Sequence, residues 1–166
     1  MELTAKVPSL IDARSLRVVD PSAHAATAHD LWDRHGDSAC LLACALLGHE
    51  AAYAEAVQQA MADLARSGDV RSDDEARRFL ARSILRHARR LPSRSADATR
   101  LPAAMVWLSR LAWLQRASLA LCVYGGLTHR EAAALLDVPP ATVADLLTAG
   151  LRELSRLVTA DAATCA

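Results

Sequence analysis

The stretch Leu127–Leu154, LTHREAAALLDVPPATVADLLTAGLREL, contains the signals of two short helices joined by a tight turn. Thr128 and Glu131 have the spacing of a capping box, in which each side chain satisfies a free backbone N–H group at a helix start. Asp137–Pro140 predicts the end of this helix, and a proline fits the first turn of the next one. Apolar residues then recur at helical spacing and predict one buried face, made of Val143, Leu146, Leu147, Leu151 and Leu154. The pattern predicts a helix-turn-helix.

The opposite face of the second predicted helix carries almost no positive charge. In DNA-binding helix-turn-helix proteins the second helix lies in the major groove, beside the phosphate backbone. Here that face would present Ala141, Thr142, Ala144, Asp145, Thr148, Ala149 and Arg152. With one acidic and one basic side chain, such a helix is poorly equipped to approach phosphates. The motif therefore predicts the fold without supporting its most common function.

The composition of the chain favours an all-α fold. Of the 166 residues, 52% are hydrophobic and only 4% aromatic, and alanine and leucine dominate over the β-branched residues typical of strands. No apolar run approaches the roughly 20 residues that span a bilayer. The N-terminus lacks a basic-then-apolar signal pattern. We therefore expect a cytoplasmic protein with no membrane partner.

Prolines and polar stretches divide the chain into two small helical domains joined by a linker. Residues 1–25 are expected to form an irregular arm, and residues 26–91 a first helical domain in which Gly48 separates two helices. The linker is placed at 92–102, within the proline-flanked sequence LPSRSADATRLP. Residues 103–166 would form the second domain, which contains the helix-turn-helix and, in its core, Trp107 and Trp113.

The net charge is zero, but the charges are unevenly distributed along the chain. Residues 1–65 carry four basic and nine acidic side chains, residues 66–100 carry ten and five, and residues 101–166 carry five of each. A basic middle segment is the electrostatic footprint expected for contact with nucleic acid or an acidic partner. The alternative is an ordinary solvated helix face and linker.

The sequence shows no pattern typical of a metal site or an enzyme. Cys40 and Cys44 lie one helical turn apart, with His35 and His49 on either side, but structural zinc sites show tighter ligand clusters. Buried cytosolic cysteines are the simpler interpretation. No paired nucleophile and base and no phosphate-binding glycine loop is present. We expect no metal, no cofactor and no catalytic residues.

Motifs in both halves, taken in order, resemble the second and fourth domains of extracytoplasmic-function (ECF) sigma factors. The first half supplies LWDRH (31–35), LLG (46–48), AEAVQQA (54–60) and RFL (78–80). The second half is more similar, and its matching residues are Leu114-Gln115-Arg116, Leu121, Gly126-Leu127, Glu131, Ala133, Leu136, Val138-Pro139 and Thr142-Val143. These matches span about two-thirds of the chain.

The resemblance implies that the helix around residues 55–60 contacts core RNA polymerase. The corresponding polymerase-contact residues are Glu55, Gln58 and Gln59, whereas Ala56 and Ala60 stand where the family has acidic side chains. In the second half, Ala144, Leu146 and Ala149 stand at positions that are basic in the family's recognition helix. Each lost phosphate contact removes roughly 0.9 from the salt slope of log K. We therefore expect DNA binding to be weak.

The resemblance and the charge pattern together define the nucleic-acid contacts that remain. On the helix after residue 77, Arg78 to Arg90 form a row at four-residue spacing on one face. The nucleic-acid-contact residues are Arg78, Arg82, Arg86, Arg90, His129, Arg130, Thr142 and Arg152.

The uncharged surface of the recognition helix indicates a protein contact, with Ala144, Asp145, Thr148 and Ala149 as the interface residues. It could be covered by the other half of the chain, by a second copy in a homodimer, or by a sigma or anti-sigma factor. The alternative is that these are tolerated surface alanines. Two functional hypotheses follow: an ECF-sigma-like transcription regulator acting on bacterial RNA polymerase, or a sigma-like scaffold that acts by protein contact without DNA.

Overall fold

The computed structural model describes residues 21–48, 50–67, 72–90 and 102–164, and within these ranges the chain is all-α, as predicted. The described helices follow one another as α1 Pro21–Leu47, α2 Glu50–Ser67, α3 Asp73–Arg90, α4 Ala103–Ser109, α5 Trp113–Val123, α6 His129–Leu136 and α7 Pro140–Thr164.

Helices α1, α2 and α3 pack against one another as a three-helix group. α1 begins at Pro21, earlier than the expected start near residue 26, because proline is well tolerated in the first turn of a helix. Gly48 separates α1 from α2 as predicted, and its φ of 63° lies in the left-handed region that glycine adopts without steric penalty. Acidic residues in the first turn of α3 and basic residues in its last turn complement the helix dipole.

Helices α4 to α7 form a second group, in which α6 and α7 are the predicted helix-turn-helix. The capping box is present: the Thr128 hydroxyl accepts a hydrogen bond from the Glu131 backbone N–H, and the Glu131 carboxylate accepts one from the Thr128 backbone N–H. α6 ends where Asp137 adopts a left-handed φ of 60°, and α7 begins at Pro140. α7 then continues as one helix to Thr164, well beyond the motif.

The buried face predicted for α7 is correct at Val143, which is fully buried, and partly correct at Leu146, Leu147 and Leu154, which are half-buried. The prediction is wrong at Leu151, which is 57% exposed. α5 approaches α7 at Gly150, where an added Cβ would lie 2.8 Å from a methyl carbon of Leu119. Because successive residues turn by about 100° around a helix, Leu151 is rotated away from this contact.

The two expected core tryptophans lie at the edge of the core instead, each half-buried. The indole Nε1–H of Trp107 donates a hydrogen bond of 2.5 Å to Asp161 near the end of α7. Arg110 adds an ion pair to the same carboxylate, at 3.6 Å. A half-buried tryptophan keeps its N–H satisfied in this way, and the contact fastens the C-terminal part of α7 to α4.

Both helix groups contribute to one hydrophobic core. Its fully buried side chains include Leu42, Leu46, Val57, Ile84, Leu121 and Val143. α1 packs against α4 and α5 as well as against α2 and α3. The two groups are therefore in direct contact in this structure.

The predicted linker and arm fall largely outside the described residues. Of the linker at 92–102 only Pro102 is described, and of the arm at 1–25 only residues 21–25, which are helical. In the described part of the chain, no single helix is both long and apolar enough to span a membrane. One pair, α6 with α7, passes that test only when both helices are counted together across a bend of 105°.

Candidate polymerase, nucleic-acid and partner surfaces

The predicted polymerase-contact residues lie on the outer face of α2. Glu55, Gln58 and Gln59 are all exposed, and Gln59 donates a hydrogen bond of 3.2 Å to Asp63 one turn further on. Ala56 and Ala60, where the family pattern has acidic residues, are instead buried in the core. These two alanines therefore remove nothing from the exposed surface, because acidic side chains there would point into the three-helix group.

The arginine row of α3 is exposed, and one edge of it contacts the helix-turn-helix. The Nε–H of Arg78 lies 2.6 Å from Oε1 of Glu131 in an ion pair. Arg89, near the end of α3, donates a hydrogen bond of 3.0 Å to the backbone carbonyl of Leu135. The remaining members of the row, Arg82, Arg86 and Arg90, are exposed and form no hydrogen bond or ion pair with any described residue. They are the exposed part of the row, without an ion pair among the described residues.

Glu131 belongs to two structural features at once. Its Oε2 accepts hydrogen bonds from the backbone N–H and the hydroxyl of Thr128, at 2.9 and 2.8 Å, while its Oε1 faces Arg78. The hydrogen bonds from Thr128, and then the contact with Arg78, lower the pKa of this carboxyl below its usual value. The same side chain therefore caps α6 and connects the helix-turn-helix to α3.

A polar cavity of about 190 Å³ lies at this junction. It is lined by Asp74, Arg77, Arg78, Gly126, Leu127, Thr128 and Glu131. Its charged lining is balanced between acidic and basic side chains, so it lacks the excess of one sign that would favour a charged ligand.

The other predicted nucleic-acid contacts lie on α6 and α7, and all except Thr142, which is half-buried, are exposed. They are His129 and Arg130 at the start of α6, and Thr142 and Arg152 on α7. The structure therefore brings the start of α6 close to the arginine row of α3, through the contact between Arg78 and Glu131. No hydrogen bond or ion pair among the described residues joins Arg152 to α3.

The four predicted partner-interface residues, Ala144, Asp145, Thr148 and Ala149, are all exposed on α7. Helices α1 to α3 leave them uncovered, because the contacts that join the two helix groups run through α4, α5 and α6. Of the three possible coverings predicted from the sequence, the described part of the other half of the chain is therefore not the one observed.

The cysteine and histidine residues considered for zinc do not form a site in the described part of the chain, which contains no group of three or more potential ligands. Burial raises the pKa of the Cys40 and Cys44 thiols, so both favour the protonated form. Nε2 of buried His35 lies 3.4 Å from an Asp73 carboxylate oxygen without forming a hydrogen bond. His49 is outside the described residues.

Two surface features were missed from the sequence. The contacts of Arg78 with Glu131 and of Arg89 with Leu135 join residues 53 and 46 positions apart, and no local pattern indicates such pairs. The exposure of Leu151 and Val158, at 57% and 41%, was also missed. The sequence does contain a signal for this exposure: the apolar residues of α7 occupy more than one face of the helix, so they cannot all be buried.

Comparison with known proteins identifies the class of this fold. A family model for sigma-70 region 4 matches residues 105–154, which run from α4 into α7. The solved structure of CnrH in complex with the cytosolic domain of CnrY has a similar fold, with a TM-score of 0.64 and 25% sequence identity. That similarity covers 84% of this chain and 92% of the CnrH chain. No curated protein sequence matches significantly.

These findings define a sigma-factor-like class, with a region 4 helix-turn-helix in the second helix group. CnrH is an ECF sigma factor, and the present chain resembles it in fold over most of its length.

Proposed function

We propose that this protein is a transcription regulator that binds bacterial core RNA polymerase, with promoter recognition by its own helix-turn-helix weakened. Sigma-like proteins are non-enzymatic transcription regulators. The observation that carries the proposal lies within α7: Val143 completes an intact helix-turn-helix core, while the outer face of the same turn presents Ala144 and Asp145 to solvent. The cytoplasm, where transcription takes place, is the compartment that this proposal requires.

The polymerase contact is assigned to the outer face of α2. Glu55, Gln58 and Gln59 are exposed there on one face, and the opposite face of the helix is fixed in the core by Val57 and Leu64. A helix whose backbone is already held by its buried face loses little backbone entropy on binding. Similarity to sigma factors supports RNA polymerase as the kind of partner.

DNA contact, where it occurs, is assigned to α3 and the start of α6. Arg82, Arg86 and Arg90 carry three exposed positive charges on one surface, and Arg130 lies on the neighbouring helix. Arg78 contributes less, because its charge is already paired with Glu131. A few phosphate contacts of this kind give weak, strongly salt-dependent binding.

A second candidate is a regulator that acts through protein contact alone, in the manner of a scaffold. The exposed, nearly uncharged surface at Ala144, Thr148 and Ala149 favours it, because such a surface suits a protein better than a phosphate backbone. The complex of CnrH with the cytosolic domain of CnrY supports a protein of the anti-sigma kind as such a partner.

The test is binding of the purified protein to core RNA polymerase at physiological salt, followed by competition with an authentic sigma factor. We expect a complex that the competitor displaces. The double variant Glu55→Arg with Gln59→Ala should weaken it at least about tenfold, which corresponds to about 1.4 kcal/mol. The matched control is Ala54→Ser, on the same helix but outside the polar face. Absence of a complex, or equal binding by both variants, would contradict the α2 assignment and favour the scaffold.

A further inference from the structure

One exposed stripe of α7 carries no charge along its whole length. Its residues recur at alternating spacings of four and three and are all exposed: Ala144, Thr148, Leu151, Ser155, Val158 and Ala162. Such spacing keeps side chains in line on one side of a helix. The stripe covers about 27 Å at 1.5 Å per residue. It begins on the turn where a DNA-binding helix would carry its basic residues and continues past the family match.

From this stripe we infer that the protein forms a homodimer in which α7 packs antiparallel against α7 of a second copy. The inference goes beyond the proposed function and does not depend on polymerase binding. Size complementarity is the first argument for a second copy. The N-terminal part of the stripe is small, with Ala144 and Thr148, whereas the C-terminal part has Leu151 and Val158. In an antiparallel pair each large side chain meets the small residues of the other copy.

The positions of the large residues agree with a two-fold axis near Thr148 and Ala149. With the axis there, Leu151 of one copy lies over the gap between Ala144 and Thr148 of the other. Val158 then lies over the exposed apolar turn at Pro139–Ala141. An isologous interface of this kind uses the same patch on both subunits and closes without forming a chain of subunits.

Charge complementarity is the second argument, and it selects the antiparallel direction. Asp145 and Arg152 are both exposed beside the stripe, on the same side, and neither forms an ion pair with any described residue. Rotation about the proposed axis brings Asp145 of each copy opposite Arg152 of the other. A parallel pair would instead place the Asp145–Arg152 flanks of the two copies on opposite sides of the interface, so neither ion pair could form.

The overall charge of the molecule does not oppose self-association. The chain has 19 basic and 19 acidic side chains, so two copies experience no net long-range repulsion. Dimerisation would cover the outer face of α7 that a promoter would otherwise contact. It therefore gives a physical reason for Ala144 and Ala149 at positions where a DNA-binding protein needs basic residues.

The experiment is sedimentation velocity of the full-length chain over a broad concentration range. We expect a reversible monomer–dimer equilibrium. Leu151→Arg should yield a monomer, because it places a charge in the middle of the stripe. The control is Val123→Arg, at a position 63% exposed on α5, which should leave the dimer intact. Circular dichroism of each variant checks that the helices are retained.

Exchanging the charges of Asp145 and Arg152 tests the antiparallel arrangement of the two α7 helices. Asp145→Arg alone, or Arg152→Asp alone, should raise the dimer dissociation constant at least about tenfold, since each change creates two like-charge contacts by symmetry. The double exchange, Asp145→Arg with Arg152→Asp, should restore the wild-type value. A wild type that stays monomeric, or a dimer that survives Leu151→Arg, would overturn the inference. Failure of the double exchange to rescue would overturn the antiparallel arrangement.

Discussion

α3 and α7 are each the last helix of their group, yet their outer faces differ in charge. α3 presents Arg82, Arg86 and Arg90 to solvent, whereas the first turns of α7 present Ala144 and Asp145. Both helices are fixed to the core in the same way, through side chains that are fully buried, such as Ile84 on α3 and Val143 on α7. The difference between the two regions is therefore confined to the surface.

In this molecule the helix-turn-helix keeps its internal structure, while its outer face lacks the row of positive charges that α3 presents. The capping box, the left-handed Asp137 and the contact at Gly150 depend on residues other than the candidate DNA contacts. The charge that holds a phosphate backbone depends on other residues, which alternate with them along α7. Fold and DNA affinity can consequently vary independently.

The largest expected effect is on the free energy of unfolding, and it distinguishes a buried position on α7 from an exposed one. Val143→Asp should destabilise the protein by more than about 3 kcal/mol, because it buries an unpaired carboxylate in the core. Ala144→Asp, one residue further on and exposed, should change the free energy of unfolding by no more than about 0.5 kcal/mol. Urea unfolding followed by circular dichroism measures both. Similar losses for the two variants would show that Ala144 is also part of the fold.

The next largest effect is on the salt dependence of DNA binding, and it compares the outer face of α3 with that of α7. Alanine at Arg82, Arg86 and Arg90 together should reduce the salt slope of log K for duplex DNA by about 2.7, from roughly 0.9 per phosphate contact. The converse variant, Ala144→Lys with Leu146→Arg and Ala149→Arg, should increase the slope by up to about the same amount. Arg152→Ala is the control on α7. A large loss with Arg152→Ala and none with the α3 variant would reverse the assignment.

The smallest expected effect tests the junction between the two helix groups. Glu131→Ala removes the ion pair and the Glu131 side-chain half of the capping box, and it should cost about 1 kcal/mol, mostly through the capping box. Glu131→Gln keeps a capping side chain but loses the charge, so it should cost less. Arg78→Ala removes only an exposed ion pair and should cost about 0.2–1 kcal/mol. Chemical unfolding at neutral pH ranks the three variants, and a larger loss for Arg78→Ala than for Glu131→Ala would contradict this ranking.

The pH dependence of this junction has a definite sign. Because the folded pKa of Glu131 lies below its unfolded value, the stabilisation is complete above the unfolded pKa. It is lost as the pH falls through the folded pKa. The stability difference between wild type and Glu131→Gln should therefore shrink on acidification, and a difference that grows towards low pH would contradict the role of the carboxylate.

Local patterns were sufficient to predict much of this fold. The capping box at Thr128, the end of α6 at Asp137 and the break at Gly48 each depend on a few neighbouring residues, and each is found where the sequence places it. The sigma-like class was also predicted, because its motifs are short and occur in order. The start of α1 was predicted too late, since Pro21 permits a helix as readily as it permits an irregular arm.

The remaining features depend on contacts between distant parts of the chain. Periodicity placed Leu151 on the buried face, but which side of α7 is covered depends on where α5 approaches, at Gly150. The family pattern has acidic side chains at Ala56 and Ala60, whereas the burial of both residues depends on the packing of α1 and α3 against α2. Arg78 could be placed on an arginine face, but its partner Glu131 is a tertiary contact.

The hydrogen bond between Trp107 and Asp161 determines how short a fragment of this chain can be grafted onto another protein. Asp161 lies beyond residue 154, where the match to sigma-70 region 4 ends, yet it anchors the indole of a helix inside that match. A chimera that grafts only residues 105–154 onto another sigma factor would carry Trp107 without its acceptor and Arg110 without its counter-ion. The unit that can be transplanted intact therefore extends at least to Asp161.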